Sequence, residues 1–282
     1  MKNRQFFKYA LIALSGLFIA SCENNVDDVT LPYEEKIVIS GLIEPGKQLD
    51  ISLSRTVPAL SQEDNNDMLI NPLPEVTLTS EGQTWNLVSY DVQFRKYTLQ
   101  GVEYQEGKTY TLDVKWKNLH AYATTTIPKA PILRYATYKK VAHSYGDGYI
   151  DTTYLYYVYF TPENGGVYRG GYNDINGSNE NYWYGGKLSN GKNVNSQGYS
   201  AVEIETYGNW MSPEMVKENF KFVVDAFDPI YEKYYDSRYA GDSPNDIFGI
   251  GGTNIRGNVQ EDGIGIFIGR NRAVKPAKDL IK

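Results

Sequence analysis

The sequence predicts an all-β protein: an N-terminal immunoglobulin-like β-sandwich followed by a second, mainly antiparallel β domain with one or two short helices. Three observations carry that expectation. The 282 residues include 25 tyrosines and 26 glycines against only four methionines, and tyrosine, like threonine, suits a pleated, half-buried surface. Apolar and polar residues alternate with period 2 in many short runs. Turn signals separate those runs at about the 8–12-residue spacing of a sandwich.

The first strands are expected over 36–43, 49–54, 75–79, 84–88, 96–99, 109–116 and 121–127. In the second of these Leu49, Ile51 and Leu53 alternate with Asp50, Ser52 and Ser54, the pattern of a strand with one buried face. Pro128 and Pro131 then stiffen the backbone and cannot both occupy a central strand, so they mark a boundary. Residues 33–128 are therefore read as one sandwich, without the cysteine pair of a true immunoglobulin domain.

Residues 129–275 form the second domain in this reading. The apolar and aromatic run 152–160 suits a strand covered on both sides, and 221–227 is a further strand. It ends at Asp228-Pro229, a capping residue followed by the proline that fits a first helical position, so a helix is expected over 230–239. That helix places Tyr231, Tyr234 and Tyr235 on one face, read as core packing. Ser212-Pro213-Glu214 starts a shorter helix in the same way. The last strand is 263–269, the chain after Arg270 is expected to be loose, and residues 276–282 are assigned to a tail.

Upstream, Lys2, Arg4 and Lys8 precede an apolar stretch over 9–20 that is too short to span a bilayer. Residues 1–21 thus have the layout of a signal peptide. The ending Ile19-Ala20-Ser21-Cys22 resembles the lipobox of bacterial lipoproteins, in which the cysteine thiol is joined to diacylglycerol, the peptide is cut before it, and the new amino group is acylated. Cys22 is the only cysteine. A thiolate is the side chain nucleophilic enough near neutral pH to take the lipid, and each buried methylene adds about 0.8 kcal/mol to the anchor. The other reading, an ordinary cleaved signal before a free thiol, leaves this single cysteine without a role.

Residues 22–32 are polar and acidic and read as a flexible tether. Acidic residues after the cysteine resemble the surface-export signal of Bacteroidota lipoproteins, which implies the outer membrane, with the outward face favoured over the periplasmic one. The formal charge is −6, and loss of residues 1–21 with their three basic groups leaves about −9. Nucleic acid and anionic head groups are poor partners for such a chain.

Catalytic signatures are missing. His120 and His143 fall in no metal-protease spacing, and no serine occupies a G-x-S-x-G elbow. The chain is accordingly read as a non-enzyme without cofactor or metal. A carboxylate pair leaves no sequence signature, so a hydrolase built on residues such as Glu203 and Glu205 stays as an alternative, beside two solvated charges on one strand face. Gly249, Gly251 and Gly252 read as turn glycines, and the oxygen-rich stretches 64–67, Asp147 with Asp151, and 173–177 read as solvated loops.

Residues 165–198 are the candidate ligand surface. They interleave Tyr168, Tyr172, Tyr182, Trp183 and Tyr184 with Arg169 and many asparagines and glycines. Rigid aromatic plates with adaptable amides suit a glycan, a peptide or a protein partner; the competing reading is an irregular hairpin whose aromatics cover the sandwich edge.

The blocks 36–43, 51–58, 107–114, 123–128, 254–257 and 263–267 resemble those of a Bacteroidota lipoprotein family catalogued as a domain of unknown function. Its members are often encoded beside TonB-dependent outer-membrane receptors. The resemblance implies an accessory or ligand-binding lipoprotein that docks on such a receptor in nutrient uptake, and it supplies no catalytic residues. A structural or adhesive surface protein is the alternative.

Overall fold

The alternation read in the first hundred residues is that of strands with one buried face, and a computed structural model shows where those faces meet. It describes residues 33–58, 70–91, 96–99, 101–144, 150–177, 183–184, 187–206, 211–239 and 256–282. The signal peptide, Cys22 and most of the tether, the acidic loop 64–67, Asp147, Tyr182 and the glycines at 249, 251 and 252 lie outside the described residues. Glu35–Val57 with Gln62–Lys282 make up one compact unit; of the smaller one, Met1–Glu34 with Pro58–Ser61, only Tyr33, Glu34 and Pro58 are described.

The first half contains β1 (Ile37–Ile43), β2 (Leu49–Arg55), β3 (Glu75–Ser80), β4 (Gln83–Asn86), β5 (Ser89–Asp91), β6 (Lys96–Leu99), β7 (Thr109–Trp116) and β8 (Leu119–Thr126). The second contains β9 (Ile132–Ser144), β10 (Ile150–Thr161), β11 (Val167–Asp174), β12 (Trp183–Tyr184), β13 (Ser200–Glu205), α1 (Pro213–Asn219), β14 (Phe220–Phe227), α2 (Ile230–Tyr239), β15 (Val259–Glu261) and β16 (Gly263–Pro276). The protein is all-β, as expected, with short helices as additions. The described residues form three sheets: β12-β11-β14-β16-β1-β2-β6-β5, β15-β8-β7-β3-β4, and β13-β10-β9.

The long sheet is a wall shared by two cores. Over its β1-β2-β6 part, Ile37, Ile39, Ile51 and Tyr97 meet Val76, Leu112 and Val114 of the five-stranded sheet. Over its β11-β14 part, Tyr168, Phe222 and Val224 meet Tyr156, Val158 and Val202 of the three-stranded sheet. Each fully buried large apolar side chain here is worth roughly 1.5–3 kcal/mol. Strand β16 belongs to both halves: residues 263–269 pair parallel with β1, and residues 270–276 pair antiparallel with β14.

Two features differ from the sequence reading. Residues 259–269 complete the first sandwich, because β15 pairs with β8 and Phe267 enters the first core. The chain after Arg270 is ordered: β16 runs to Pro276, and Ala277, Leu280 and Ile281 are buried in the second core. Apolar residues spaced to bury one side of a final turn make that segment structural despite its lysines.

The strand covered on both sides is β14, all eight of whose residues are buried, and not 152–160, where Tyr156, Val158 and Phe160 are buried while Leu155, Tyr157 and Tyr159 are half-buried. One face of β14 fills the second core. The other is covered in part by α2, whose Ile230, Tyr231 and Tyr234 pack with Phe227, Ile266 and Ile268. The start of α2 is the one read from sequence: the Asp228 carboxylate accepts from the Ile230 amide at 3.0 Å, and its other oxygen accepts from the Thr126 amide at 2.7 Å. Ser212 caps α1 by accepting from the Met215 amide.

Two glycines allow β16 its close approach. A Cβ on Gly265, whose φ is +113°, would lie 2.0 Å from the Ile39 carbonyl oxygen, and one on Gly269 would lie 2.4 Å from that of Thr126.

Buried tyrosines give a paired stability prediction. Tyr156 donates its hydroxyl to the Met211 carbonyl at 2.9 Å, so Tyr156→Phe is expected to cost about 1–2 kcal/mol. The Tyr97 hydroxyl is buried with no hydrogen-bond partner among the described residues, and burial, with Tyr90 nearby, pushes its pKa up to about 12. Tyr97→Phe is expected to be neutral or stabilising by up to about 1 kcal/mol. Urea unfolding of the two variants checks the opposite signs.

Candidate functional site

A cleft of about 610 Å³ opens beside the start of β9. Its geometry begins with a ladder irregularity: Tyr159 pairs with Tyr135 while Phe160 pairs with Leu133, which leaves Arg134 as the extra residue of a bulge. Bulges re-aim side chains, and here the Arg134 Nε donates to the Thr161 hydroxyl at 2.9 Å with the guanidinium 5.5 Å from the Tyr199 ring centre. The Tyr135 and Tyr159 rings stack at 4.5 Å and 19°, and Tyr199 meets Tyr135 edge-on at 6.2 Å.

The opposite wall is a turn closed by Asn195. Its Oδ1 accepts from the amides of Gln197 and Tyr199, each at 3.0 Å, while its Nδ2 donates to the Tyr135 hydroxyl at 3.0 Å. The end of the chain forms the third side. Ala136 donates its amide to the Leu280 carbonyl and bridges in parallel to Ile281, which sets the Lys282 ammonium 6.0 Å from the Tyr135 ring. Arg134, Tyr135, Thr137, Gln197, Tyr199 and Lys282 line the cleft, and the charged side chains of its lining are both cationic.

Of the described residues read as a ligand surface, Tyr172 and Trp183 are in contact, while Tyr168 and Arg169 point to opposite faces of β11. Tyr168 and Tyr172 are core residues of β11, 2% and 4% exposed. The Tyr168 hydroxyl accepts from the Glu163 amide at 2.7 Å, and burial raises its pKa. Arg169 lies on the other face of the same strand, 5.6 Å from the Tyr235 ring. Trp183 is exposed on β12, its ring edge-on to Tyr172. Tyr184 is paired through its backbone with Gly171, and Tyr182 lies outside the described residues. The alternation Tyr168, Gly170, Tyr172 is a strand signal within what reads as a loop. The bulge at Arg134 carries no such signal, since it depends on pairing with β10, distant in sequence; the Asn195 turn is local, but nothing local shows that it faces Tyr135.

Glu203 and Glu205 are exposed on one face of β13, and neither lines the cleft. Among the described residues no group of three or more His, Cys, Asp or Glu side chains is arranged to hold a metal ion, and no helix is long and apolar enough to cross a membrane.

A second cleft, about 500 Å³, lies on the outer face of the long sheet and is floored by Leu42, Ile266 and Ile268. Its arginines are occupied by ion pairs. Arg272 holds Asp225 through Nε at 2.6 Å and Nη2 at 2.9 Å, and Arg270 holds Glu44 through Nε at 3.0 Å and approaches Asp225 through Nη1 at 3.7 Å. Asp225 is fully buried, so Asp225→Ala removes the carboxylate that Arg272 grips and that Arg270 approaches; a loss of about 3–5 kcal/mol is expected. Urea unfolding measures it, and Asp225→Leu combined with Arg272→Met is expected to lose less.

His120 bridges three strands. Its Nε2 lies 2.6 Å from Asp113 and its Nδ1 2.5 Å from Glu261, an arrangement that requires both ring nitrogens to donate. The hydrogen bond to Asp113, against partial desolvation and with help from Glu261, raises its pKa above 6.5. Because folding raises this pKa, the ring stabilises the fold fully below pH 6.5, and the contribution disappears as pH rises through the folded value. An NMR titration is expected to give His120 a midpoint above that of an unfolded-chain histidine, and His120→Asn is expected to flatten the loss of stability as pH rises from 6.5 through that midpoint.

Residues 23–275 match the family model described as Domain of unknown function (DUF4249), and the chain belongs to that family. No curated protein matches it. Two solved structures titled as cytokine receptor complexes are similar at 9% identity: crystal form 1A covers 85% of this chain and 96% of that one with a TM-score of 0.25, and crystal form 2 covers 67% and 89% with a TM-score of 0.23.

Proposed function

We propose that this protein is an outer-membrane lipoprotein, anchored through acylated Cys22 and facing the cell surface, that binds a ligand and serves a TonB-dependent receptor in nutrient uptake. The observation that carries the proposal is the placement of the only cysteine directly after the apolar run and Ser21. An acylated cysteine gives a membrane attachment that needs no spanning segment. The resemblance of the strand blocks to receptor-linked Bacteroidota lipoproteins supports the choice of partner. An open cleft with stacked aromatics and amides supports action by binding and not by catalysis.

Gentle detergent extraction of native membranes carrying a tagged full-length chain, followed by mass spectrometry, tests the reading. Wild type is expected to recover a TonB-dependent receptor, and Cys22→Ala is expected to lose both membrane retention and receptor. Recovery of the lipoprotein alone, under conditions that keep other membrane complexes intact, would sink it.

A further inference from the structure

Within the ligand-binding reading, on which this inference rests, the geometry points to an acidic saccharide, of the hexuronate type, as the occupant of the Tyr135–Tyr199 cleft. The volume, about 610 Å³, lies within the range of small-ligand sites. Tyr135 is held flat by its stack on Tyr159, and its hydroxyl is fixed by Asn195. A preorganised aromatic plate suits the apolar face of a pyranose ring, because little side-chain freedom is lost on binding. Around the plate stand Thr137, Gln197 and the Tyr199 hydroxyl, neutral groups that can both donate and accept, which a ring carrying several hydroxyls requires.

Charge narrows the class. Arg134 and Lys282 supply the charged side chains of the cleft and no acidic side chain is among its lining residues, although the chain as a whole carries −6. Arg134 uses its Nε on Thr161; a guanidinium whose remaining donors face a cleft is suited to a carboxylate. A polyphosphate is served less well, since no helix contributes a residue to the lining and so no helix N-terminus faces the cleft.

A peptide also fits less well. Ala136 is the single aliphatic residue of the lining, so apolar anchors have no pocket, and its amide is already given to Leu280, so a strand cannot add at that point.

Calorimetry on the detergent-solubilised full-length protein tests this with an oligogalacturonate, a neutral oligosaccharide of the same length, and polyglutamate. The oligogalacturonate is expected to bind, more weakly as salt rises, while the neutral saccharide and polyglutamate bind at least about tenfold less tightly. Arg134→Gln, an exposed position, is expected to lower affinity by about tenfold or more with an unchanged unfolding midpoint, and Tyr199→Ala to lower it also. Equal affinity for the neutral saccharide or for polyglutamate, an unaffected Arg134→Gln variant, or no binding of the oligogalacturonate at millimolar concentration would overturn the inference. Receptor capture is read separately. Its persistence without saccharide binding removes this inference alone, and its loss with saccharide binding intact removes the accessory role alone.

Discussion

Strand β16 is the constraint on which the rest of the structure depends. It is the parallel partner of β1 and the antiparallel partner of β14, so one continuous backbone forms the wall of both cores. A parallel pair needs a crossover connection, and here the connection is nearly the whole intervening chain. The first sandwich therefore cannot close its long sheet until residues 263–269 are in place. Local hydrogen bonds secure the strand on arrival: Asn258 accepts from the Phe267 amide at 2.9 Å and donates to the carbonyls of Phe267 and Thr124, at 2.7 and 2.8 Å. Gly269 donates its amide to the Thr125 hydroxyl at 2.7 Å. The linker is held by the same strand, since Asn271 donates to the Pro128 carbonyl at 3.0 Å.

This arrangement explains why a boundary at Pro128 is visible in sequence while the halves remain joined. The two apolar cores are separate, and each half alternates correctly by itself. What unites them is backbone pairing and a buried ionic cluster across the outer face, where Asp225 of β14 meets Arg270 and Arg272 of β16. Breaking one partner of such a cluster is costly even where replacing the whole of it with apolar groups is not.

Most strands of the first half were legible, because Leu49, Ile51 and Leu53, or Tyr110, Leu112 and Val114, alternate with polar residues that remain accessible. The helix starts at Ser212-Pro213 and Asp228-Pro229 were legible for a local reason, a side-chain cap followed by a fixed φ. The role of β14 was harder to read: a run of apolar residues shows that a strand is buried, but not which neighbours bury it. The ordered end of the chain was missed because Ala277, Leu280 and Ile281 are spaced among lysines and gain their partners only in the tertiary structure. The Tyr135–Tyr199 cleft was not read from the sequence for a related reason. Composition drew the eye to Tyr168 and Tyr172, yet a tyrosine with a satisfied hydroxyl packs in a core as readily as phenylalanine, and their alternation with Arg169 was the stronger signal.

The charge of the cleft also bears on how an acidic protein would hold the acidic saccharide proposed for it. At physiological ionic strength the screening length is about 8 Å, so surface carboxylates beyond that distance contribute little to the potential inside the cleft. Arg134 and Lys282 line the cleft itself and so act within that distance of a bound ligand. The bulge that turns Arg134 out of the ladder is thus more than a local defect. Had residues 132–135 paired in unbroken register with β10, the side-chain period would have placed residue 134 differently relative to Tyr199. A cationic group over an aromatic floor arises here from a single unpaired residue in a strand whose other face is committed to the second core.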